Sequence, residues 1–99
     1  SKTAAVFTAD LKTNPAGIKA GEQVEFIFTV KNPKGEKVEK LQIVHEKPMH
    51  LLIVSEDLDE FYHEHPEPQA DKTLKVPFTF KNGGNYRIYA DFTPENSKQ

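Results

Sequence analysis

Apolar and polar residues alternate strictly along three stretches of the chain: Val24, Phe26, Phe28, Val30; Leu74, Val76, Phe78, Phe80; and Tyr86, Ile88, Ala90, Phe92. A period of two is the pattern of a strand with one face buried. Asn14-Pro15-Ala16-Gly17, Asn32-Pro33-Lys34-Gly35 and Asn82-Gly83-Gly84-Asn85 punctuate these stretches. Their proline-fixed φ and glycine freedom suit chain reversals. Further strands are predicted at Ala4–Thr8, Val38–Val44 and Met49–Val54, the last apolar on both faces. No segment carries the 3.6 period of an ordinary amphipathic helix. Asp57 to Glu60 fits a single helical turn, with Asp57 as its cap and Glu60 three residues on.

Short strands with regular turns predict an all-β antiparallel sandwich of six or seven strands, immunoglobulin-like or cupredoxin-like in general plan. Pro77 cannot donate to a ladder and puts Leu74–Phe80 at a sheet edge. With 99 residues the chain suits one domain, assigned to residues 1–94, with 95–99 as a frayed tail. No apolar run exceeds the four residues of Leu51–Val54, far short of the roughly 18 that cross a bilayer. A soluble chain without a membrane-spanning segment is expected. Its start at Ser1 reads as that of a processed or recombinant fragment, from which any signal peptide would already be gone.

Composition narrows the chemistry. There is no cysteine, so there is no thiolate nucleophile, and a metal site would have to use nitrogen, oxygen or thioether. The lysines are scattered and Arg87 is the sole arginine, which argues against a nucleic-acid partner. The sequence shows no convincing Ser–His–Asp set and no phosphate-cradling glycine loop, and no catalysis is expected.

Residues 45–67, "HEKPMHLLIVSEDLDEFYHEHPE", concentrate all four histidines, the only methionine and seven of the fifteen carboxylates, against one base, Lys47. Such a segment attracts cations. The opening "HEKPMH" approaches the H-E-x-x-H pattern of zinc proteases but misses it by one residue. Met49 stands where the second histidine belongs, and Pro48 would break the helix that pattern needs. Strand geometry gives a better reading. His63 and His65 are two apart, so an extended backbone projects both from one face, about 6–7 Å apart. Ser55–Glu60 is long enough to reverse the chain and return them beside His50. Met49 and His45 are the candidates to complete the site. On a regular strand Met49 and His50 point to opposite faces, so Met49 reaches the ion only if the backbone after Pro48 is irregular, and is otherwise core. Imidazole suits zinc, copper, nickel and iron, while a thioether tilts a mixed site toward copper, particularly Cu(I). Copper leads and zinc follows; the carboxylates serve as field or as partners of the ligands.

"MHLLIVSEDLDEFYHEHPE" at 49–67 and "GGNYRIYADFTP" at 83–94 resemble a bacterial family of small extracytoplasmic heavy-metal- or copper-binding proteins, similar in fold to CopC and YtkA-like domains. The resemblance implies a β-sandwich in the periplasm or at the cell surface that binds copper in metal homeostasis or resistance, with a transporter or acceptor protein as partner. By position His50, His63 and His65 match the family's histidines, and Met49 the residue before the first; His45 matches less closely. Glu64 stands where the family pattern has an apolar residue between the paired histidines. Two rival readings differ in class. One is an interaction or adhesion domain with structural or pH-responsive histidines; the other is a metal-dependent hydrolase with a reactive water in an open coordination position.

Overall fold

The computed structural model describes residues 7–38 and 40–95. Among them run seven strands: β1 (Thr8–Asn14), β2 (Gln23–Lys31), β3 (Met49–Ser55), β4 (Phe61–Glu64), β5 (Glu67–Pro68), β6 (Leu74–Thr79) and β7 (Tyr86–Phe92). Every pairing is antiparallel. One sheet has the order β1-β2-β6-β5 and the other β4-β3-β7, with no helix among the described residues. The chain is thus the all-β antiparallel sandwich that its alternation predicts.

The alternating residues make the core. Val24, Phe26, Phe28 and Val30 of β2 are 2% exposed or less, and β6 contributes Leu74, Val76 and Phe78, followed by Phe80. The β2–β6 register sets Phe26 opposite Val76, Phe28 opposite Leu74 and Val24 opposite Phe78, same-face pairs that pack across the ladder. The second sheet presents Met49, Leu51 and Ile53 of β3, each 0% exposed. Fully burying one such side chain contributes about 1.5–3 kcal/mol. Phe78 joins the sheets: its ring centroid lies 6.0 Å from Phe26, 4.8 Å from Phe80 and 4.9 Å from Tyr62 on β4.

Three expected elements differ. The first strand starts where Ala4–Thr8 was to end and runs to Asn14; residues 4–6 lie outside the described residues. Its sequence, TADLKTN, has no apolar alternation because it is an edge strand held by backbone pairing to β2 and by the Lys31–Asp10 ion pair at 2.7 Å. The segment expected as a strand over Val38–Val44 makes only isolated pairings, Leu41 with Pro94 and Val44 with Lys47, and leaves Ile43 65% exposed; Glu39 lies outside the described residues. Asp57–Glu60 is not helical, because Leu58 is left-handed at φ 66°. Instead the Asp57 carboxylate accepts from the Ser55 hydroxyl (2.6 Å) and the Asp59 amide (3.0 Å), closing the β3–β4 hairpin.

β6 is not the edge strand that Pro77 suggests: it lies between β2 and β5. β5 reaches only Leu74 and Lys75 of β6, so Pro77 falls on the stretch flanked by β2 alone. Of the expected tail, Glu95 donates its amide to the Lys40 carbonyl at 3.2 Å, and 96–99 lie outside the described residues.

Candidate metal centre

On β3 the alternation that buries Met49, Leu51, Ile53 and Ser55 turns His50, Leu52 and Val54 to the outer face of the β4-β3-β7 sheet. The β3–β4 register pairs Leu52 with His63 and Leu51 with Glu64. One step further along that ladder sets His65 opposite His50. His63 shares their face because it is two residues from His65. The Ser55–Glu60 reversal holds this register, with the Ser55 amide on the Glu60 carbonyl at 3.0 Å and the Glu60 amide on the Ser55 hydroxyl at 2.8 Å.

The rings converge. Centroids lie 5.4 Å apart for His50–His63, 5.0 Å for His50–His65 and 4.8 Å for His63–His65. One nitrogen from each ring lies within 4.8 Å of those of the other two. His50 Nδ1 and His63 Nε2 are 3.2 Å apart. Two nitrogens bound at about 2.0–2.1 Å to a tetrahedral ion are themselves separated by about 3.3 Å. That pair is therefore already at ligating distance, and the 4.8 Å that spans one nitrogen from each ring exceeds the separation in such a complex by only about 1.5 Å.

The tautomer of His50 follows from its neighbours. Its Nε2 lies 2.8 Å from the Val44 carbonyl oxygen; a carbonyl only accepts, so Nε2 carries the proton and Nδ1 offers its lone pair toward His63. A ligating imidazole whose other nitrogen donates to a carbonyl is the usual arrangement around bound metals, since it fixes the ring and raises its basicity. With His50 in that tautomer, the 3.2 Å contact makes His63 Nε2–H the donor to His50 Nδ1; to ligate through Nε2, His63 would have to carry its proton on Nδ1 instead.

Burial, with the added field of His63 and His50, pushes the His65 imidazole below its ordinary 6.5. The same causes favour the neutral ring, the form whose lone pair a metal ion needs.

The two remaining predicted ligands lie outside this triad, Met49 in the core and His45 beside His50. Met49 is 0% exposed in the core on the opposite face of β3 from His50. The strand is regular from Met49 onward, so the irregular backbone that would have let both side chains reach one ion is absent. His45 is exposed, with its ring edge-on to His50 at 6.1 Å. It occupies a tight turn with Glu46, closed by reciprocal Val44–Lys47 backbone hydrogen bonds of 3.0 and 3.2 Å. Both turn residues are left-handed, at φ 50° and 71°, a conformation that non-glycine residues adopt at a cost. This turn delivers the Val44 carbonyl to His50. A backbone acceptor has no side-chain signature, so sequence reasoning could not find it. On the other side, Asp91 of β7 lies directly across the ladder from His50, a placement visible only once the register is known.

Fold and site together define a class: an all-β sandwich carrying a solvent-facing triad of histidines on one sheet. The chain belongs to a family described as a domain of unknown function (DUF8832), whose model matches residues 4–99. No curated protein and no solved structure matches the chain.

Proposed function

We propose that this chain binds a transition-metal ion through His50, His63 and His65, copper first and zinc second, and that it carries or buffers the ion. The observation behind this reading is the convergence of three imidazole nitrogens within 4.8 Å on the outer face of one sheet. All-nitrogen donor sets take borderline ions, and among divalent first-row metals affinity peaks at Cu(II). With Met49 in the core, the thioether argument for Cu(I) drops away, and the preference for copper rests on that order alone. The seven carboxylates of residues 45–67 enrich cations around the site. Three protein ligands leave a coordination position free, and His63 is exposed, which suits an ion that is received and handed on. A periplasmic or cell-surface location, the one the resemblance to copper-binding proteins implies, belongs to the same reading.

The test is a competition titration of metal-free protein with Cu(II), Cu(I) and Zn(II), alongside His63→Ala. Losing a group that merely orients a ligand typically costs about 10–100-fold in affinity, so losing a ligand is expected to cost at least about 100-fold. The sandwich should stay folded, because His63 is exposed. Equal affinity in the variant, or no stoichiometric binding by the unmodified chain, overturns the reading.

A further inference from the structure

We propose that β7 is a docking edge for a second copy of this chain, joining two three-stranded sheets into one of six strands. This goes beyond metal binding and does not depend on it. Among the described residues β7 pairs only with β3. Which of its backbone groups are free follows from the hydrogen bonds at the hairpin. The Glu56 amide donates to the Asn85 carbonyl at 2.9 Å, one step beyond the Ser55–Tyr86 pair. Hydrogen-bonded pairs alternate along an antiparallel ladder, so Arg87, Tyr89 and Asp91 bond to β3. The N–H and C=O groups of Tyr86, Ile88, Ala90 and Phe92 then point away from it.

The other sheet edges are blunted in the usual ways. β1 carries Lys12, β4 has four residues, β5 has two including Pro68, and the open part of β6 holds Pro77. β7 runs seven residues with no proline, glycine or lysine.

The edge is also self-complementary. Pairing β7 antiparallel with itself about Tyr89 sets Arg87 against the partner's Asp91 on both sides of a Tyr89–Tyr89 pair. The backbone parity agrees. Tyr86 with the partner's Phe92 and Ile88 with the partner's Ala90 become hydrogen-bonded pairs, while the charged and tyrosine pairs fall at the narrow positions where side chains lie closest. A groove of about 310 Å³ lined by Ile18, Ala20, Phe80, Tyr86 and Ile88 runs beside this edge. It receives the core-side residues of the incoming strand, Ala90 and Phe92. Opposite charges, apolar pairs and open backbone thus coincide in one register, and a second copy of the same strand supplies all three. The histidine triads stay on the outer face, on the order of 20 Å apart by strand spacing and rise, so each keeps its own ion.

The test is sedimentation of the full chain, with chelator present, across a concentration series reaching the millimolar range. The unmodified chain should show a monomer–dimer equilibrium. Arg87→Asp and Asp91→Arg each place like charges at both ionic pairs and should raise the dissociation constant about tenfold or more; the double swap should restore it. The chain has no cysteine, so Tyr89→Cys adds a clean probe. Narrow-pair Cα atoms about 4.5 Å apart lie within disulfide range, and oxidation should link the dimer far faster than it links the equally folded Thr79→Cys on the other sheet. A chain monomeric throughout, a dimer indifferent to charge reversal, or cross-linking no better than the control overturns the proposal.

Discussion

Met49 separates the two jobs of β3 most sharply, because the same residue is a candidate ligand by sequence and a core residue by structure. It is 0% exposed and pairs across the ladder with Phe92. Met49→Ala removes three heavy atoms from a packed interior, which costs about 2–5 kcal/mol depending on how far the site collapses. In a domain of this size each kcal/mol moves the melting temperature by about 4–8 °C, so a drop of at least about 8 °C is expected. Met49→Leu conserves volume and should cost less than about 1.5 kcal/mol. Thermal melts of metal-free protein measure both, and titrations of Met49→Leu with Cu(I), Cu(II) and Zn(II) should match the unmodified chain within about twofold, well under the tenfold that 1.4 kcal/mol represents. A stable Met49→Leu whose Cu(I) affinity falls tenfold or more would show that the thioether reaches the ion and refute the assignment to the core. A Met49→Ala that melts like the parent would refute the packing argument itself.

Two pH predictions follow from the site and from the hairpin beneath it. The unfolded chain protonates His65 near 6.5, whereas burial and the two neighbouring imidazoles hold the folded group lower. Stability of the metal-free protein should therefore fall as pH drops from 6.5 through the folded value and then level off; denaturant titrations of His65→Gln should lose that slope. At the other end of β4, Glu60 accepts from the hydroxyls of Tyr62 (2.6 Å) and Tyr86 (2.8 Å), and burial together with this carboxylate pushes Tyr86 up to about 12. The unfolded chain ionises near 10.0, so stability should fall as pH rises from 10.0 to about 12. Glu60→Gln should bring the Tyr86 tyrosinate absorbance in at lower pH, and an unmoved titration would mean that Glu60 is not part of the cause.

The strands that can be read from sequence are those whose own side chains build the core. β2, β6 and β7 alternate because one face of each packs on the opposite sheet, and β3 declares itself by Leu51 to Val54. β1 is hard to place from sequence because an edge strand with little to bury leaves a weak periodic trace, and Leu11 remains 39% exposed. Val38–Val44 shows the converse. Its apolar residues suggest a strand, but they are used singly: Val38 and Leu41 pack against the core while Ile43 faces solvent. The histidine triad was legible because His63 and His65 obey the period of two and the intervening turn length fixes their return to His50. The exclusion of Met49 was half legible, since alternation opposes it to His50, but the regularity of the backbone after Pro48 is a tertiary fact.

That opposition is what gives the strand its two roles. Side chains on a strand alternate, so a one-residue slip of β3 would drive His50 into the core and lift Met49 and Leu51 into solvent. The buried Met49, Leu51 and Ile53 hold the register against such a slip, and the register in turn sets His65 opposite His50. The triad therefore needs no metal to assemble: its geometry derives from apolar burial on the other side of the same backbone. What the core does not set is the rotation of the His50 ring, and that falls to the Val44 carbonyl at 2.8 Å, carried by a turn whose two residues are both left-handed. Conformational cost thus sits one hydrogen bond from the proposed ligands, where an acceptor held in place does most to keep Nδ1 aimed at its neighbours.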